Sequence, residues 1–124
     1  MTRITGSRDC GNSPKNKLAQ DIGVALACGQ HLEDVFPDSI VWDQGDIVWD
    51  QGDHLCGGLA QVLDSLAIVP VPVAVTVEHA ITHGKVGATS GLCQMADGSQ
   101  RRYSHVFEFT TTKANQVAVI KSYR

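Results

Sequence analysis

"VPVPVAVTVEHAITH", residues 69–83, places Val at every second position from 69 to 77, with Pro, Ala or Thr between. Period-two alternation is the mark of a strand, because successive side chains leave opposite faces of the backbone. Pro70 and Pro72 lack an N–H to donate, so they suit an exposed or edge start. Three further runs of the same character follow: "KVGATSGLCQM" (85–95), "RRYSHVFEFTT" (101–111) and "VAVIKSYR" (117–124). Between them stand Gly84, "ADGSQ" (96–100) and "TKANQ" (112–116), all turn-forming, so the second half reads as a meander of long antiparallel strands.

The first half has a different period. Ser13 is a good helix N-cap, Pro14 fits the first helical position, and Leu18, Ile22, Ala25 and Leu26 recur three and four apart before Gly29. "HLEDVF" (31–36) reads as a short turn packing Leu32, Val35 and Phe36. "GGLAQVLDSL" (57–66) carries a second helical stripe of Leu59, Val62, Leu63 and Leu66. Residues 1–12 show no period and read as a flexible leader, leaving 13–124 as a single domain. Helices followed by an antiparallel meander define an α+β protein, with the helices covering the concave face of a curved sheet.

Composition excludes several functions. Apolar residues make up 43% and charged residues 19%, with a net charge of −3, which fits a soluble chain with few basic clusters for nucleic acid or an anionic membrane. No run of about 18 apolar residues or signal-type leader is present. A cytoplasmic location is therefore expected, with Cys10, Cys28, Cys56 and Cys93 reduced; none forms a C-x-x-C pair. Walker, dinucleotide-binding and nucleophile-elbow motifs are absent, so no cofactor is expected. His79 and His83 are four apart, but on a strand that separation is roughly 13 Å, too far for one ion. No metal is expected, and both histidines read as surface or interface residues on the face of Val75 and Val77.

"IVWDQGDIVWDQGDH" (40–54) holds one heptad twice. Seven is odd, so in one straight strand Asp43 and Asp50 would face opposite ways. A hairpin turning at "DQGD", with arms 40–42 and 47–49, accommodates the repeat, leaving Asp43 as the working copy and Asp50 near the rim. If the second copy holds the working position, Asp50 takes the role.

"ALACGQHLEDVFPDSIVWD" (25–43), the Gly-then-helix step of "GGLAQVLDSL", "SHVFEF" (104–109) and "VAVIKSY" (117–123) together resemble the NTF2-like superfamily, which includes the ketosteroid isomerases and SnoaL-like proteins. The resemblance covers roughly 13–124. It implies a cone enclosing a pocket for a small, largely apolar molecule, cofactor-free acid–base chemistry of the isomerase, cyclase, dehydratase or hydrolase type, and a homodimer through the outer sheet face. It places Asp43, after Asp38, on the family's general base. A solvated turn Asp beside Gly45 is the other reading of that residue. His105 falls on the oxyanion donor, as hydrogen-bond donor or partner acid, with a structural His bonded to backbone as the alternative. Alternation puts His105, Phe107 and Phe109 on one face. Ile22 stands where the isomerases carry an oxyanion Tyr, which argues against steroid isomerisation. The pocket lining implied is Ile22, Leu26, Val41, Phe107 and Tyr123. A ligand-binding or assembly module without catalysis is the alternative. Trp42 and Trp49 read as core.

Overall fold

The computed structural model describes residues 2–47, 50–113 and 115–123 and, for 45–47 and 50–54, the backbone alone. Helix α1 (Pro14–Cys28) begins as its sequence dictates: Ser13 is extended and its hydroxyl accepts from the Asn16 N–H at 3.2 Å, with Pro14 in the first turn. It ends at Gly29, whose φ of 68° is left-handed. A Cβ there would lie 2.5 Å from the Leu66 carbonyl oxygen, so Gly29 also lets the end of α1 abut the end of α2 (Leu59–Ala67).

Among the described residues, β1 (Arg3–Thr5), β2 (Val41–Ile47), β3 (Asp50–Gly57), β4 (Ala74–His83), β5 (Val86–Gln94), β6 (Gln100–Phe109) and β7 (Val117–Tyr123) form one sheet in the order β1-β4-β5-β6-β7-β2-β3. The β4–β7 meander is antiparallel, whereas β1 joins β4 and β2 joins β7 in parallel. Ile22 and Leu26 of α1 and Val62 and Leu66 of α2 meet Phe36, Ile40, Phe107, Phe109 and Ile120 in the main core. The one-turn segment at 32–36, closed by Phe36 N–H to Leu32 C=O at 2.9 Å, delivers Phe36 to that core. Each such large apolar side chain contributes about 1.5–3 kcal/mol relative to exposure. The result is the expected α+β cone.

Three expectations change. The segment read as a leader is not loose: β1 pairs Arg3, Ile4 and Thr5 with Ala74, Val75 and Thr76, and a 3-10 turn follows at Arg8–Cys10. Its polarity suits an edge strand, where one side stays in water. The repeat does form a hairpin, but its reversal is not at 43–46. Trp42 pairs with Cys56, Asp43 with Leu55 and Ile47 with Asp50, so both "DQGD" copies lie within the strands, and register shifts on either side of Asp46 absorb the odd spacing. Finally, a bulge at Glu78, where Val77 pairs with Gly91 but His79 with Ser90, reverses the alternation of β4. Val75, Val77 and Ala80 are buried, while His79 and His83 are exposed on the other face.

The bulge also docks the N-terminal segment. Asp9 Oδ2 accepts from the Ala80 N–H and lies beside His79 Nδ1, each at 3.1 Å. The Ala80 amide first, then His79 and Ser7, hold the Asp9 carboxyl below its usual range. Its stabilising contribution is therefore present above the ordinary carboxylate range and is lost as pH falls through the lowered folded value. In amide exchange, corrected for intrinsic rates, Asp9→Asn is expected to speed exchange at Ala80 and to remove the acid-side dependence. Unchanged exchange would mean that β1 pairing alone holds the segment.

Candidate functional site

A cavity of about 610 Å³ opens between the C-terminal ends of the two helices and the sheet. Leu26 and Ala27 of α1 form one wall, Ser65 and the Ile68–Pro70 stretch after α2 the rim, and Cys93 and Met95 the far side. Trp42, His105 and Ser122 come from β2, β6 and β7, neighbours in the sheet, and line the cavity together.

These three form a chain of hydrogen bonds. The Trp42 indole N–H donates to Ser122 Oγ at 2.8 Å, and Ser122 Oγ lies 2.7 Å from His105 Nδ1. All three residues are buried, His105 at 6% exposure. An indole can only donate, so Ser122 accepts from Trp42, and its own buried proton needs an acceptor, which Nδ1 of a neutral imidazole supplies. Should His105 become charged, Nδ1–H donates to Oγ, which holds two lone pairs. In that state Oγ accepts from both nitrogens, and its own proton has to turn to another acceptor. Tyr103 stacks on His105 with ring centroids 5.3 Å apart, and Phe107 flanks it at 6.2 Å.

Other polar groups are arranged around this chain. Gln44 Nε2 donates to Ser65 Oγ at 2.7 Å, joining β2 to α2 across the cavity. The Tyr103 hydroxyl is buried with no partner among the described residues, and burial pushes that phenol well up, so it stays protonated. Burial likewise raises the Cys28 and Cys93 thiols, which disfavours a thiolate nucleophile.

The expected site residues separate. His105, Leu26 and Tyr123 line the cavity. Asp43 does not: Trp42 and Gln44 on either side of it do, so strand alternation turns Asp43 to the opposite face, in register with Lys121 of β7. Val41 shares that outward phase and likewise is not a lining residue. Ile22 and Phe107 are fully buried in the packed end of the cone, which side chains fill. The side chain of Asp50, and Trp49 altogether, lie outside the described residues. Sequence reading missed Ser122, Gln44, Ser65, Arg101 and Tyr103, and treated Trp42 as core alone. Period two from His105 could have supplied Arg101 and Tyr103, and period two from Trp42 could have supplied Gln44. Ser122 becomes significant only when β7 is laid beside both β2 and β6.

No protein-family model and no curated protein matches the chain by sequence. Solved structures do. An NTF2-like protein of Mesorhizobium loti is 18% identical with a TM-score of 0.63, covering 97% of this chain and 98% of that one. An NTF2-like protein of Burkholderia xenovorans LB400 is 19% identical with a TM-score of 0.61, covering 88% and 81%. A third, named for the SnoaL-like polyketide cyclases and also from Mesorhizobium loti, is 13% identical with a TM-score of 0.59, covering 87% and 97%. The fold is therefore that of the NTF2-like proteins, shared with structures of the SnoaL-like type. Among the described residues, no helix is long and apolar enough to cross a membrane.

Proposed function

We propose that the chain binds a small, largely apolar molecule in this cavity and performs cofactor-free acid–base chemistry on it, with His105 as the group that takes up or delivers the proton. The observation carrying this reading is the Trp42–Ser122–His105 chain at the cavity wall. A buried imidazole at the cavity wall, its Nδ1 held by a hydroxyl that can donate or accept, is fixed in orientation for proton transfer. The role first assigned to Asp43 passes to His105, because Asp43 lies on the other face of β2. Isomerisation, cyclisation, dehydration and hydrolysis all require such a proton transfer. A homodimer through the outer sheet face belongs to the same reading, and sedimentation equilibrium measures it.

The probe is 5-nitrobenzisoxazole, an apolar ring system that opens when a base removes one C–H proton. Wild-type protein is expected to accelerate the opening over buffer, and His105→Gln to lose about 10²-fold of that rate while retaining its circular dichroism. Acceleration that survives His105→Gln would remove the assignment. Saturable probe binding with no acceleration would favour ligand binding without catalysis.

A further inference from the structure

Among the described residues the charge on the cavity wall is one-sided. Arg101 and Arg102 line it, and among the described lining residues there is no Asp or Glu. The two arginines are not equivalent. Arg102 Nη1 donates to Glu78 Oε1 at 3.1 Å, which compensates its charge. Arg101 is in phase with Tyr103 and His105 along β6 and directly opposite Cys93, which also lines the cavity. Among the described residues no hydrogen bond or ion pair engages its guanidinium. The nearby Asp97 accepts from the Ser99 hydroxyl at 2.6 Å and its backbone N–H at 2.9 Å, and attracts Arg101 through charge without forming an ion pair with it.

Arg101 sits at the exposed start of β6, four residues before His105, which is about 13 Å along a strand. Between them the wall is apolar and aromatic: Tyr103, Met95 and, across the cavity, Leu26. A guanidinium at the mouth, an apolar barrel behind it and an imidazole at depth select for a molecule with the opposite order of parts.

We propose that the ligand is an amphiphilic anion: an elongated apolar body carrying a carboxylate or similar oxyanion that Arg101 holds at the mouth, with its reacting carbon at the His105 end. This deepens the pocket reading above and rests on it. Arg101 is thus a specificity-determining residue, discriminating for anions while taking no part in proton transfer. A planar guanidinium offers two parallel N–H donors to a carboxylate, which fixes the ligand end on and sets which carbon reaches His105.

The experiment uses two fluorescent probes with the same ring body, 8-anilinonaphthalene-1-sulfonate, an anion, and N-phenyl-1-naphthylamine, which is neutral. Wild-type protein is expected to bind the sulfonate about five- to tenfold more tightly than the neutral probe, a preference that shrinks with added salt. Arg101→Gln is expected to abolish the preference while changing neutral-probe affinity less than about twofold. Lys17→Gln, an equal charge change at an exposed α1 residue paired with Asp21, should preserve it. Ala27→Trp, which fills the cavity from α1, should abolish binding of both probes. Equal affinity for the two probes in wild type, or a preference that survives Arg101→Gln, would overturn the proposal while leaving the pocket reading intact. Neutral-probe binding that persists in Ala27→Trp would overturn the pocket reading itself, and this proposal with it.

Discussion

Ser122→Val is expected to lower stability by about 3 kcal/mol, because a single oxygen serves two buried groups. Removing it leaves the Trp42 N–H and His105 Nδ1 both without their partner, and each stranded buried group costs about 1–3 kcal/mol. The added valine methyls regain part of this through burial, so the net falls below the sum of the maxima. Ser122→Ala should cost less, since the smaller side chain leaves space for a water to bridge the two nitrogens. Ser122→Thr keeps the hydroxyl and should stay within about 1 kcal/mol of wild type, a change of the size typical of surface substitutions and small repacking. Urea unfolding measures the three. A Ser122→Val protein as stable as wild type would mean that the hydrogen-bond chain is not the support of this wall. The same series has a spectroscopic readout. Ring-nitrogen NMR of neutral His105 should show the proton on Nε2 in wild type and in Ser122→Thr, and should lose that fixed preference in Ser122→Val. A neutral His105 with its proton on Nδ1 would reverse the donor and acceptor in the Ser122 contact.

Gly91→Ala is the second large effect, expected at about 3 kcal/mol or somewhat more. Gly91 pairs with Tyr103 across β5 and β6, and the phenol lies over it where a side chain would stand. An added Cβ would collide with the Tyr103 hydroxyl and would lie 2.5 Å from the Thr76 carbonyl oxygen of β4. The first collision can be relieved by rotating a side chain, but the second requires a strand to move. Gly91→Ala combined with Tyr103→Leu should therefore recover only part of the loss in urea unfolding. Full recovery would mean that the phenol alone imposes the glycine. Because Tyr103 stacks on His105, displacing it should also shift the His105 ring resonances in Gly91→Ala.

The outcome for Asp43 shows how far linear reasoning reaches. Its match to a base position came from a five-residue spacing after Asp38 and from its place behind Ile40, Val41 and Trp42. Spacing along a strand identifies a residue's phase but not which phase faces inward. That depends on which neighbour the strand pairs with, and here Trp42 and Gln44 took the inner face. His105 was placed more securely because Phe107 and Phe109 share its phase, and bulky aromatic residues seek the core. On β4, one bulged residue at Glu78 was enough to reverse the phase of everything after it. No residue in "TVEHAIT" announces a bulge, which depends on the opposing strand and on the docked Asp9.

What the chain settled by itself were the features governed by neighbours in sequence: the capped helix between Ser13 and Gly29, the apolar stripe through Val62 and Leu66, and the order of four long strands with their turns. Capping, periodicity and turn chemistry act within a few residues, so they are legible one segment at a time. Tertiary structure decided everything that needed partners from distant segments. It brought Trp42, His105 and Ser122 together by inserting β2 beside β7, turned Asp43 away, tied the N-terminal segment to the sheet edge, and gave Glu78 to Arg102 while leaving Arg101 with no ion pair among the described residues. Those choices follow from strand pairing across the whole chain, and each pairing fixes the facing of every side chain on the strand at once.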